Sequence, residues 1–203
     1  MSIPRWTVPR RQPWEEIPSA SLTLADGSGA PDQATTIRLC WDDEALHVRF
    51  DCEDRDAWGT FRHRDDPLWQ EEVVEVFLAP GEEDPVRYVE IEVSPLGVLF
   101  DACIHNPTGL RADMTADLSW DCPGLHWQVG RGAERQDWWA ELSIPWERPS
   151  RVWRANFYRV ERPRDGAPEF TCWSPTLTSP ADFHKPARFG LLELGDVQGG
   201  SGR

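Results

Sequence analysis

Apolar and polar positions alternate along much of this chain with a period of two, the mark of strands that bury one face. In Leu46–Cys52, Leu46, Val48 and Phe50 alternate with His47, Arg49 and Asp51. Thr36–Trp41 precedes this run across Asp42-Asp43-Glu44, so the two are expected to form a hairpin. Val73–Leu78 is more densely apolar and is closed by Ala79-Pro80-Gly81. Arg87–Val93 sets Val89, Ile91 and Val93 on one face and Tyr88, Glu90 and Glu92 on the other, and Pro95-Leu96-Gly97 turns the chain into Val98–Ile104. Trp127–Arg131, Trp138–Ile144, Trp153–Val160 and Phe189–Leu194 complete a set of about nine strands at regular spacing. This pattern predicts an all-β fold, an antiparallel β-sandwich of two sheets in a jelly-roll or immunoglobulin-like arrangement. The only helix expected is a single turn near Pro145–Glu147, and Asn106–Cys122 reads as an irregular surface loop. The domain is placed at residues 15–195. A flexible N-terminal segment (1–14) is expected to lie along an edge with Trp6 or Trp14 tucked in, and the tail (196–203) is expected to be disordered.

A chain of 203 residues suffices for one such domain. The net charge of −14 argues against nucleic acid, which needs a basic face, and against an anionic membrane surface. It suits a neutral ligand or a cationic partner and leaves carboxylates for structural calcium, with Asp54, Asp56, Asp65 and Asp66 as candidates that lack EF-hand spacing. No apolar run reaches the ~18 residues of a membrane span. The N-terminus has no apolar signal-peptide core, so a cytoplasmic location is expected as written, and secretion only if a signal had been removed. Five cysteines leave at least one unpaired, and none forms C-x-x-C. Cys40 and Cys52 could face each other across the hairpin, although free thiols are favoured.

Twelve tryptophans exceed what a core of this size needs, and one is well placed for chemistry. In Asp65–Phe77, D-D-P-L-W-Q-E-E-V-V-E-V-F, Trp69 stands in a turn just before a strand, and Glu75 follows six residues later among apolar neighbours. An aromatic plate beside a fixed carboxylate suits a sugar: the C–H face stacks on the indole and hydroxyls donate to the carboxylate. The competing reading makes Trp69 a core residue. Glu75 must face solvent or be paired, because an unpaired buried charge costs several kcal/mol. Strand parity puts it with Val73 and Phe77, opposite Val74 and Val76, and a wet concave face is the simplest resolution. Glu90 and Glu92 are ring-edge acceptors or a solvated face. Asn156 and Tyr158 share a face, and Arg62 or Arg64 could supply a cation. Trp173 is read as packing, His184 as a loop hydrogen-bonder, and Trp138-Trp139 as one ring inward and one outward. No G-x-S-x-G, H-E-x-x-H or P-loop is present, so catalysis is not expected.

Six motifs fall in order: W-D-D-E-A-L-H-V-R-F, W-Q-E-E-V-V-E-V-F, Y-V-E-I-E-V-S-P-L-G, W-R-A-N-F-Y-R-V-E-R, W-S-P-T and F-H-K-P-A-R-F-G-L-L-E-L. Over roughly residues 15–195 the chain resembles the family 9 carbohydrate-binding modules and their stand-alone relatives. The resemblance implies a non-catalytic β-sandwich that holds a mono- or oligosaccharide between two aromatic plates, in some members with structural calcium, and commonly in association with a glycoside hydrolase. Carried over by motif, Trp69 is the first plate, Glu75 the acidic residue, Phe183 of F-H-K-P-A-R-F-G the second plate, and Asn156 a polar contact. The family's binding arginine falls near Tyr88 or Glu90, which become the ring-edge candidates. Its asparagine before the second plate reads as Pro180, and Phe183 replaces a more usual tryptophan. The alternatives are an interaction module that kept the sandwich and lost the sugar site, or a haem-binding relative using Met114, Lys185 or a histidine as axial ligand.

Overall fold

The computed structural model describes residues 2–132, 137–146 and 150–195. Fourteen strands form two sheets: β1 (Arg5–Val8), β2 (Ser19–Ser21), β3 (Thr23–Leu24), β4 (Thr35–Trp41), β5 (Ala45–Cys52), β6 (Val73–Pro80), β7 (Arg87–Val93), β8 (Leu99–His105), β9 (Thr115–Asp117), β10 (His126–Arg131), β11 (Trp138–Pro145), β12 (Val152–Glu161), β13 (Glu169–Cys172) and β14 (Gly190–Leu194). The larger sheet runs β1-β14-β12-β6-β7-β8-β9, with β13 beside β12 and β3 beside β13. The smaller sheet runs β10-β11-β5-β4-β2. Every pairing is antiparallel except β1 with β14. This is the expected two-sheet sandwich, and the expected strands lie within one or two residues of those observed.

Period-two alternation builds the core. Val74, Val76, Leu78, Ile91, Val93 and Phe157 of the larger sheet pack on Ile37, Leu39, Val48, Phe50 and Leu142 of the smaller one. The outer face of the larger sheet is also buried. There Val73, Phe77, Tyr88, Phe100, Ile104, Tyr158 and Phe189 form a second apolar cluster under the connecting loops. Double burial explains why β6 reads as a continuous apolar run rather than an alternation. Gly97, at φ +78°, makes the tight turn from β7 to β8.

The short elements differ from expectation. The N-terminal segment lies along a sheet edge with Trp6 tucked in, as expected, but as a regular strand rather than a flexible segment: β1 runs in parallel register with β14, and Trp6 packs against Trp173 at 5.8 Å. Asn106–Cys122 contains the edge strand β9 and a single 3-10 turn at Arg111–Asp113. β2, β3 and β13 have two to four residues, too few to show a period. Pro145 ends β11, whereas Glu147 and the tail from 196 lie outside the described residues. Cys40 stands opposite His47 and Cys52 opposite Thr35, so these two cysteines are not cross-strand partners, and all five thiols are free. Trp138 is buried while Trp139 lies under the Arg49 guanidinium at 4.9 Å, one ring in and one out.

Candidate functional site

The outer face of the larger sheet carries a cavity of about 430 Å³ over β6, β7 and β8. Register sets its floor. Glu75 lies directly opposite Glu92, Glu92 opposite Phe100, and Phe77 opposite Glu90. The side chains of Glu75, Glu90, Glu92 and Phe100 therefore emerge on one face and line the cavity. The walls come from loops. A 3-10 turn at Leu68–Gln70, anchored by buried Leu68, presents Trp69; the 106–122 loop gives Arg111 and Met114; the segment before β14 gives Phe183 and His184.

Two aromatic groups flank this floor in different ways. Trp69 is 38% exposed and rests edge-on against Phe100, with ring centroids 5.2 Å apart. Phe183 is 8% exposed. It stacks on Tyr158 at 4.2 Å, and the Tyr158 hydroxyl donates to the Phe183 carbonyl at 2.9 Å. Trp69 is a projecting plate, whereas Phe183 is a plate set into the core.

The floor is electrostatically unusual. One carboxylate oxygen from each of Glu75, Glu90 and Glu92 lies within 4.8 Å of the others, and all three residues are buried. Neither oxygen of Glu92 finds a hydrogen-bond partner among the described residues. Burial first, and then the charge of Glu90, raises the Glu75 carboxyl well above the usual carboxylate range. Burial and the charges of Glu75 and Glu90 do the same to Glu92. Burial pushes Glu90 up to about 7, opposed by its close approach to Glu92 and by the charge of Arg111. His184 stands 3.8 Å from Glu90 and meets the Tyr88 hydroxyl at 2.8 Å. Burial and the charge of Arg111 lower its pKa to about 4, so its ring is neutral near pH 7. The wet face expected for Glu75 is thus absent: the carboxylate is neither solvated nor ion-paired, and shares a dry floor with two others.

Of the residues picked from the sequence, Trp69, Glu75, Glu90 and Phe183 come together in this cavity. Tyr88 and Asn156 do not line it. Tyr88 lies in the core, stacked on Phe77 at 5.6 Å, with its hydroxyl committed to His184. Asn156 shares the sheet face, but its amide is consumed in locking the 174 loop: Nδ2 donates to the Ser174 carbonyl at 2.8 Å and Oδ1 accepts from Ser174 N–H at 2.9 Å. A buried amide with its partners satisfied by backbone is structural. Arg64 is bound to Asp101 at 2.5 Å and Asp121 at 2.7 Å, away from the site. The cations at the cavity are instead Arg111 and Arg162. Nothing in the local pattern marks Arg111, which sits in an irregular loop. Arg162 follows β12 directly and could have been found by extending that strand. Met114 lines the cavity, while Lys185 is held by Asp182 at 2.5 Å.

A second acidic group gathers Asp54, Asp56, Glu72 and Glu161, again with oxygens within 4.8 Å. It lies where the two sheets meet. Asp54 accepts from Trp138 Nε1 at 3.0 Å and Arg159 at 2.9 Å; Glu161 accepts from Arg159 and from Gln33 at 2.6 Å. Arg159 also donates to the Thr35 hydroxyl and the Glu53 carbonyl. Glu72 is fully buried with neither oxygen partnered among the described residues, and burial followed by its contact with Asp54 pushes it up to about 10. An all-oxygen donor set of this kind fits a hard cation such as calcium. Asp65 and Asp66, also considered for calcium, are not in the group. Asp66 accepts from the backbone N–H of Arg62 and His63.

The carbohydrate family 9 binding domain-like family matches residues 12–98. An extracellular protein of Arthroderma benhamiae is 28% identical over 185 residues, which cover 85% of this chain and 82% of that protein. A family 9 carbohydrate-binding module from Caldicellulosiruptor kristjanssonii, solved in complex with cellotriose, superposes with a TM-score of 0.68 at 15% identity over 98% of both chains. A family 9 module from the same organism in complex with glucose gives 0.67 at 15% identity, over 95% of this chain and 96% of that one. The chain thus shares the two-sheet sandwich fold of these family 9 modules and matches the family's model over residues 12–98. No helix among the described residues is long and apolar enough to cross a membrane.

Proposed function

We propose that this family 9-like sandwich binds carbohydrate without cleaving it, in the cavity over β6, β7 and β8. The observation that carries the reading is the meeting of Trp69, Phe183 and Glu75 around one cavity of about 430 Å³, a size suited to a sugar ring. The ring's C–H face rests on Trp69, Phe183 closes the opposite wall, and hydroxyls donate to Glu75 and Glu90. The family match and the likeness to modules solved with glucose and cellotriose support sugar as the ligand. The name of the Arthroderma relative supports a glycan met outside the cell.

Binding rather than hydrolysis is supported by the spacing of the acids. Glycosidases set two carboxyl groups about 5–9.5 Å apart on either side of the scissile bond. Here Glu75, Glu90 and Glu92 crowd within 4.8 Å on one floor, and the fourth carboxylate of the lining, Asp182, is held in an ion pair by Lys185 at 2.5 Å. Any hydrolytic step would belong to a separate glycoside hydrolase.

Isothermal titration with glucose and cellobiose tests the reading. Each plate contributes on the order of 1 kcal/mol beyond area burial, so binding is expected at micromolar affinity or weaker. Trp69→Ala is expected to abolish measurable heat; unchanged binding in that variant rejects the site. We also assign calcium to the group of Asp54, Asp56, Glu72 and Glu161 as a structural ion, supported by the unmet oxygens of Glu72. A melting temperature that rises with calcium and falls again with chelator is the expected result.

A further inference from the structure

The three-carboxylate floor is more acidic than a neutral sugar requires. A hydroxyl is satisfied by one acceptor and itself accepts, whereas a primary ammonium has three donors and no acceptor. Glu75, Glu90 and Glu92 present acceptors within 4.8 Å of one another at the bottom of an aromatic-walled cavity, and Glu92, fully buried, has both oxygens unpartnered. Among the described residues no arginine or lysine is ion-paired with this group, and only the charge of Arg111 reaches it from the cavity lining. Arg111 stands at the mouth, 61% exposed and 3.7 Å from Asp182; Arg162 donates to the Trp69 carbonyl at 3.4 Å; His184 is neutral; Lys185 is paired with Asp182. Three buried carboxylates cannot all ionise side by side unless a positive charge joins them.

We propose that the cavity selects an aminated pyranose, a sugar carrying a free primary amine in place of one ring hydroxyl, with the ammonium seated among Glu75, Glu90 and Glu92. This rests on the reading of the cavity as a sugar site and narrows it to a ligand class. The pyranose face lies against Trp69, and the ammonium points to the sheet. An N-acetylated sugar loses both the charge and two of the three donors, so the site discriminates free amine from acetamide. Seating the cation favours ionisation of the floor, so protons leave the carboxyl groups as the ligand binds.

The test is isothermal titration of the full chain, in the presence of EDTA near pH 7, with D-glucosamine, D-glucose and N-acetyl-D-glucosamine. Glucosamine is expected to bind at least tenfold more tightly than glucose, with N-acetylglucosamine no tighter than glucose. The binding enthalpy should change between buffers of different ionisation heat, as proton release demands. Glu92→Gln is expected to narrow the glucosamine-to-glucose ratio several-fold. Glu90→Gln, nearer the cavity rim, serves as the second variant, and circular dichroism verifies the fold of each. If glucose binds and glucosamine binds equally or more weakly, the ammonium site is overturned and the sugar site stands. If none of the three sugars gives heat, the sugar site falls and the inference falls with it. A preference for glucosamine that survives unchanged in both variants also overturns the assignment.

Discussion

Two buried acidic groups come within three residues of each other at the start of β6, where Glu72 belongs to one and Glu75 to the other, yet they solve the same physical problem in opposite ways. The group of Asp54, Asp56, Glu72 and Glu161 holds an internal cation, because Arg159 bonds Asp54 and Glu161 and ties them to Thr35 and the Glu53 carbonyl. The group of Glu75, Glu90 and Glu92 has no arginine or lysine among it in the described residues and opens instead onto an aromatic-walled cavity. A buried charge must be paired, neutralised or used. In the first group Arg159 pairs Asp54 and Glu161 and bridges the sheets, so these two carboxylates belong to the fold. The second is held partly protonated by burial first and, for Glu75 and Glu92, by the charge of neighbouring carboxylates. The contrast separates carboxylates paired within the fold from carboxylates that face a cavity.

The sharpest way to break this comparison is to remove the internal cation. Arg159→Leu leaves Asp54 and Glu161 buried without their partner and is expected to cost about 3–5 kcal/mol of stability, read by urea denaturation. A loss below 1 kcal/mol would make the two groups equivalent. The plates should separate next. Phe183→Ala, which empties a stacked core position, is expected to cost about 3 kcal/mol as well as binding. Trp69→Ala, at an exposed position, should lower the melting temperature by only a few degrees while removing sugar binding.

Acidity provides the next test. The folded pKa of Glu90 is raised to about 7 from 4.5, so its share of stability is fully present below pH 4.5 and is lost as pH rises to 7, by about 3 kcal/mol at most. Glu161, also raised to about 7, adds a loss in the same window. Glu90→Gln should flatten its part of this slope in a pH series of denaturation curves; an unchanged slope would remove Glu90 as its source. The smallest effect concerns calcium. Saturating calcium should raise the melting temperature by a few degrees in the wild type and less in Glu72→Gln, since an ion that binds only the folded state stabilises it.

Strand parity made the sheet architecture and the floor legible. Glu75 was placed with Val73 and Phe77, and Glu90 with Glu92, from alternation alone, and the register confirms those faces. Parity says nothing about what covers a face. Loops with no period of their own close over Glu75, so a face expected to be wet is dry. Arg111 and His184 reach the cavity from such loops; no local pattern marks Arg111, whereas His184, read as a loop hydrogen-bonder, meets the Tyr88 hydroxyl. Asn156 and Tyr88 show the converse limit. Both point from the correct face, yet one amide is used by the Ser174 backbone and one hydroxyl by His184. Long-range hydrogen bonding, which alternation cannot encode, decides whether a polar group on a binding face is free. The four-residue strand β1 was hidden because its pairing partner, β14, lies at the far end of the chain.

The most direct test of the central claim is a crystal structure of the protein soaked with cellobiose. The account predicts one pyranose ring against Trp69, between it and Phe183, with a ring hydroxyl within about 3 Å of a Glu75 oxygen. A ring bound instead on another exposed aromatic such as Trp127, with the cavity over Glu75, Glu90 and Glu92 free of sugar, would contradict it.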